Sequence, residues 1–224
     1  MMVSTMFSWK LRGMVEMVEV NMDVIYYLTV EKENYIQPSK PDGVSDGVVR
    51  GLYKMRGTDQ PKIRLLGSGP LMREVLAAAE LLKKDWGIEP GIWNVTSFSE
   101  LRREAEAVER WNLTHPDEKP RVSYVEELLS KNAVPTVAVS DYIKLVSDQI
   151  RPYVPGPYYC LGTDGFGRSD TREGLRRFFE VDRYYVVLTA VKALVHAGEL
   201  EAGTVDAVLE KYGLDPEKPN PVTV

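Results

Sequence analysis

The sequence predicts an α/β protein with three layers, a mainly parallel sheet covered by helices on both faces. Three observations carry this. Short β-branched and apolar runs read as strands: Ile63-Arg-Leu-Leu66, Gly91-Ile-Trp-Asn-Val95, Val134-Pro-Thr-Val-Ala-Val139 and Tyr158-Tyr-Cys-Leu161. Helix-length segments lie between and after them, with apolar residues at helical spacing such as Leu71, Val75, Leu76, Ala79 and Leu82. The two kinds of segment alternate, as crossovers between parallel strands require.

Taken in order, Met22-Asp-Val-Ile-Tyr-Tyr-Leu-Thr-Val30 reads as a buried strand, and Pro38, Pro41 and Gly43 mark a loop. A short helix is predicted from about Val44 to Tyr53. The stretch Lys54 to Lys62, with Gly57 and Pro61, then reads as a linker and a domain boundary. Gly67-Ser-Gly69 is a tight turn after the strand at Ile63. Pro70 stands at the first helical position, and Gly87 stops that helix. Ser97-Phe-Ser-Glu100 is a capping box for a helix to about Arg110. Asp141 is placed to cap the helix after the strand at Val134. Asp170-x-x-Glu173 reads as a second capping box, for a helix through Gly174 to Phe179. An amphipathic helix from Tyr184 to His196 ends at Gly198, and one from Thr204 to Tyr212 ends at Gly213.

Composition narrows the function classes. The 224 residues are 44% hydrophobic and 27% charged, which suits one large globular domain or one full domain plus a partial one. The net charge of −5 argues against a general nucleic-acid binder. No apolar run approaches the ~18 residues needed to span a membrane, and the apolar start lacks a signal-peptide layout. A single cysteine, Cys160, excludes an internal disulfide, fits a reducing cytoplasm and reads as a small buried residue rather than a nucleophile. Two histidines, His115 and His196, leave little for a metal site. His115, before Pro116, reads as a hydrogen-bonded structural residue rather than a base, and His196 as a cation on a last helical turn. Gly67-Ser-Gly69-Pro lacks a third glycine and reads as a structural turn rather than a phosphate loop. No nucleophile elbow or Walker loop occurs.

The run Gly162-Thr-Asp-Gly-Phe-Gly-Arg-Ser-Asp-Thr-Arg-Glu173 is the densest in chemistry. Glycines at 162, 165 and 167 allow close approach of a partner or substrate, and Arg168 and Arg172 offer guanidinium forks for a carboxylate or phosphate. Capping by Asp170 and Glu173 explains part of the run but leaves Asp164 and Phe166 unaccounted for.

The same run, followed by Phe179-Glu-Val-Asp182 and Tyr185-Val-Val187, resembles the C-terminal region of the homodimeric pyruvate dehydrogenase first component. Further words agree in order: Glu33-Asn-Tyr35 with Gln37-Pro38, Leu65-Leu-Gly-Ser-Gly69, Val95-Thr-Ser-Phe98, Glu109-Arg-Trp-Asn112 with His115-Pro116, Ser140-Asp-Tyr142 and Tyr153-Val-Pro155. The resemblance spans about Val24 to Pro221. It implies a transketolase C-terminal-like domain with a mixed sheet at 62–224, the tail of a pyrimidine-binding domain and a linker at 24–61, and an unmatched segment at 1–23.

By this resemblance the intact enzyme would use thiamine diphosphate and Mg to decarboxylate pyruvate and pass the acetyl group to a lipoyl acyltransferase component, as a cytoplasmic homodimer. The family's Gly-Asp-Gly and asparagine-pair motif is absent from this chain, and its activating glutamate is expected before residue 1. The chain alone is therefore expected to bind no cofactor, nucleic acid or membrane, and to serve dimerisation and the active-site entrance. Asp164, Phe166, Gly167, Arg168, Arg172 and His115 are the entrance or interface candidates. A stand-alone partner-binding module, or a piece of another transketolase-superfamily enzyme, are the alternatives.

Overall fold

A computed structural model describes residues 11–23, 25, 27 and 38–224. Most of the strand predicted at Met22–Val30 lies outside the described residues. The folded part is one five-stranded sheet: β1 (Leu52–Arg56), β2 (Arg64–Ser68), β3 (Gly91–Val95), β4 (Thr136–Val139) and β5 (Tyr158–Leu161). The strands lie in the order β1-β3-β2-β4-β5, parallel throughout except that β1 runs antiparallel to β3. Helices α1 (Ser45–Arg50), α2 (Met72–Trp86), α3 (Phe98–Thr114), α4 (Tyr124–Leu129), α5 (Lys144–Asp148), α6 (Arg172–Phe178), α7 (Arg183–His196) and α8 (Thr204–Tyr212) cover it.

The period-two geometry of the strands divides the core in two. On β2, Leu65 joins Ile92, Val137 and Val139 under α2 and α7. Leu66, one residue on, joins Val95, Ala138 and Tyr158 under α3 and α4. Both leucines are fully buried, which is why this central strand reads as a continuous apolar run. The helix expected to be amphipathic, α7, leaves little beyond Lys192 and His196 exposed, because the sheet, α2 and α8 surround it.

Four expectations are corrected. The helix near Val44 ends at Arg50, and Leu52–Arg56 is strand β1, not helix followed by linker. Leu52 and Tyr53 stand four residues after Val48 and Val49, so their spacing imitates a helix. Gly51 breaks it with a φ of +102°, and its carbonyl accepts from Thr96 and Ser97 N–H at the end of β3. Helix α3 runs on to Thr114, and α4 follows it, opened by a full capping box between Ser123 and Glu126 that the sequence reading passed over. Asp141 does not cap α5; Tyr142 and Ile143 intervene, and Asp164 Oδ2 takes the Lys144 N–H at 3.0 Å. The cap of α6 is Thr171, whose Oγ1 accepts from Gly174 N–H at 3.1 Å, while Asp170 accepts from Thr171 N–H. The cap is shifted by one residue and is no longer a box, because the third helical residue is then Gly174, which has no side chain to return a hydrogen bond.

Glu74, in the first turn of α2, is 4% exposed yet charged. Its carboxylate accepts from Arg176 Nη1 at 3.0 Å, from Arg183 Nε at 2.9 Å and from Arg183 N–H at 3.1 Å. One acid thus holds α2, α6 and the start of α7 together. Burial alone would raise its pKa; the hydrogen bonds and charges of Arg183 and then Arg176 outweigh it and lower the pKa. A lowered carboxyl pKa stabilises the fold above the ordinary carboxylate range, and that contribution is lost as pH falls through the folded value. Glu74→Gln is expected to cost about 2–3 kcal/mol at neutral pH, since it strands two arginines. Urea titrations should show the gap between the two proteins closing as the solution is acidified.

Candidate functional site

The chain leaving β2 enters α2 on one face of the sheet, and the chain leaving β4 enters α5 on the other. β2 and β4 are neighbours, so a crevice opens between their carboxyl ends, the place where open parallel sheets bind ligands. It holds about 360 Å³. Pro70, Leu71 and Asp141 come from the strand ends; Thr163, Gly165, Gly167, Arg168 and Arg172 come from the loop after β5. Leu175, Arg176, Phe179 and Val181 supply the far wall.

The loop is built against its own protein. Thr163 donates from N–H to Tyr142 O at 2.9 Å and from Oγ1 to Asp141 O at 2.7 Å. A side chain on Gly162 would stand 2.6 Å from both Lys144 N and Tyr142 O, so glycine there permits contact between two backbones. Gly165 has a φ of +119°, and a Cβ on it would run into the carbonyl oxygen of Pro221. Gly167 has open space around it. Two of the three loop glycines thus serve close approach within the chain.

The candidate residues separate into groups. Gly167, Arg168 and Arg172 border the crevice together. The Arg168 guanidinium lies 4.1 Å from the centre of the Phe178 ring, a cation–π contact that orients it. Asp164 points the other way and caps α5. Phe166 is 86% exposed on the outer side of the loop. His115 ends α3, stacked at 4.4 Å on Trp111 with its Nδ1 2.8 Å from Trp111 O, and does not border the crevice.

Two crevice residues carried no signal of their own. Asp141 was expected as a helix cap and Arg176 only as part of the helix through Phe179; the fold brings them to Arg168 and Arg172. Asp141 is raised above the usual carboxylate range, chiefly by desolvation, with its own backbone hydrogen bond and the charge of Arg176 opposing. Three guanidinium groups, one carboxylate and an apolar wall can hold an organic anion. Cys160 is no nucleophile at neutral pH, because burial pushes its thiol up to about 11. Among the described residues no group of three or more His, Cys, Asp or Glu could hold a metal ion.

The two outer glycines of the loop tip give a paired test. Gly165→Ala is expected to cost about 1–3 kcal/mol and to release the segment around Pro221 to protease. Gly167→Ala, with space for its methyl group, should leave both the urea midpoint and the cleavage pattern unchanged.

Comparison with known proteins places this geometry. Residues 51–182 match the transketolase-like TK C-terminal domain family. The pyruvate dehydrogenase E1 component of Cupriavidus necator is 51% identical over 216 residues, 95% of this chain and 24% of that protein. Those of Pseudomonas aeruginosa and Escherichia coli K12 are 50% and 45% identical, over 94% and 91% of this chain. The chain therefore spans about a quarter of the length of these relatives. Among solved structures, transketolase from Leishmania mexicana superposes with a TM-score of 0.51 at 17% identity, over 70% of this chain and 20% of that one. Transketolase from Pichia stipitis gives 0.50 at 17% identity, over 72% and 20%. That likeness concerns the fold alone, a mainly parallel mixed sheet with helices on both faces. On the match over residues 51–182, the chain belongs to the transketolase-like TK C-terminal domain family.

Proposed function

We propose that this chain is the C-terminal part of a pyruvate dehydrogenase E1 component and works by completing that enzyme rather than by turning over substrate itself. The observation that carries the reading is the 51% identity to such a component over 95% of the chain. In the proposed assembly the acceptor of the acetyl group is a lipoyl acyltransferase, and the subunit pairs with a second copy in the cytoplasm. No helix among the described residues is long and apolar enough to cross a membrane.

Thiamine diphosphate with Mg would supply the carbanion chemistry in that enzyme. The crevice residues do not fit this group: three arginines face a single carboxylate, Asp141, where a divalent cation would need several oxygen ligands. No reaction step is therefore routed through them. Their proposed part is positional, with Arg168 and Arg172 meeting a carboxylate of the substrate or of a neighbouring domain, and exposed Phe166 offering an apolar contact beside them.

The proposed division of the chain also shifts. Because β1 pairs along its length with β3, the reading favours a C-terminal unit that begins near Gly51 rather than at Lys62. Complementation tests the main proposal. The chain is mixed with the preceding three quarters of the Cupriavidus necator relative, and pyruvate-dependent acetyl transfer to a lipoyl acceptor is measured. Activity above that of the preceding piece alone is expected, and Arg168→Gln with Arg172→Gln should reduce the gain by more than any fall in the chain's urea midpoint accounts for. No gain from the unaltered chain overturns the proposal.

A further inference from the structure

At the opposite end of the sheet, where the parallel strands begin, Arg64 opens β2 and is 3% exposed. Its guanidinium donates to Leu129 O at 2.7 Å and Thr136 Oγ1 at 3.3 Å. Both acceptors are neutral, and no carboxylate among the described residues forms an ion pair with it. Contact with the last carbonyls of α4 favours a cation there and accounts for its orientation. It does not supply the opposite charge that a buried guanidinium calls for. Desolvation lowers the Arg64 pKa to about 10, with no neighbouring acid acting against it.

Arg64 borders a cavity of about 510 Å³, within the size range of small-molecule sites. Trp93, Pro61 and Leu128 give it an apolar side, and Lys54 and Lys131 add two more cations. Two acids also border it: Asp59, already paired with Lys54, and Glu127. A planar fork beside a flat apolar wall suits a carboxylate on a small organic body. The rim acids disfavour a second negative charge on the same ligand.

We propose that this cavity binds a small organic monocarboxylate, its carboxylate against Arg64 and its apolar body against Trp93 and Pro61. The inference stands apart from the E1 reading, since it uses only the buried cation and the walls around it.

Benzoate is the probe. The full chain is titrated at mildly alkaline pH, with the heat of binding and tryptophan fluorescence as readouts. Saturable binding is expected, weakened about tenfold or more in Arg64→Met, as loss of a charge-assisted fork implies. Exposed Glu127→Gln should fold whatever Arg64→Met does, and should tighten benzoate by roughly twofold to threefold as one repulsive charge is removed. The titration is repeated in Arg168→Gln, which separates any benzoate held by the crevice at the other end of the sheet; the component that depends on Arg64 should remain. Three outcomes would overturn the proposal: no saturable binding, equal binding of benzyl alcohol, or loss of binding in Arg168→Gln with none in Arg64→Met and Glu127→Gln. Phenyl phosphate binding more tightly than benzoate would overturn the assignment to a monoanion.

Discussion

A single buried carboxylate organises the half of the molecule where the crevice lies. Glu74 is almost out of solvent, and it stays ionised because two arginines and a backbone N–H close around it. Each arginine belongs to a different helix, so the ion cluster sets how α6 and α7 meet α2. Arg176 has two roles in consequence. It completes the cluster, and it borders the crevice on the side facing Asp141. Without Glu74 the far wall, from Leu175 to Val181, would have no fixed position against the strand ends. Buried ion pairs often contribute little net stability; here the larger effect is on the shape of the crevice.

Most of the sheet was legible in the sequence because central parallel strands are buried on both faces and their signal is strong. Leu65 and Leu66, or Val137, Ala138 and Val139, leave no polar period to confuse them. Strand β1 was hidden for the opposite reason. It lies at the edge, it carries Lys54 and Arg56, and its apolar pair repeats at helical distance from the pair before it. The caps were legible only to within a residue, since several short polar side chains compete for the same N–H groups. Ser97 caps α3 as expected, but Glu100 pairs with Arg103 instead of closing the box, while Thr171 displaced Asp170 and Asp164 displaced Asp141.

The sites follow the same logic. The glycines and arginines of 162–173 stand together in the sequence, so their density could be noticed. Asp141 and Arg176 join them only through the winding of the sheet, and neither shows in the sequence alone that it borders a crevice. Arg64 did leave a trace: a guanidinium within Ile63-Arg-Leu-Leu66 interrupts a run otherwise buried on both faces. That trace gains meaning only once the structure shows the charge buried and bonded to neutral acceptors alone.

The tail of the chain bears on when the crevice comes into being. Gly165 packs under Pro221, Arg177 donates to Tyr212 O and Gly213 O, and Lys218 donates to Phe178 O. These contacts reach back from residues 212–221 to hold the loop and α6 from behind. The strands pair without them, since every ladder contact lies between residues 52 and 161. The crevice therefore depends on a long-range docking that the sheet itself does not need. A nick after Leu214 would leave the strand pairing in place while freeing the Pro221 and Lys218 contacts that stand behind the site.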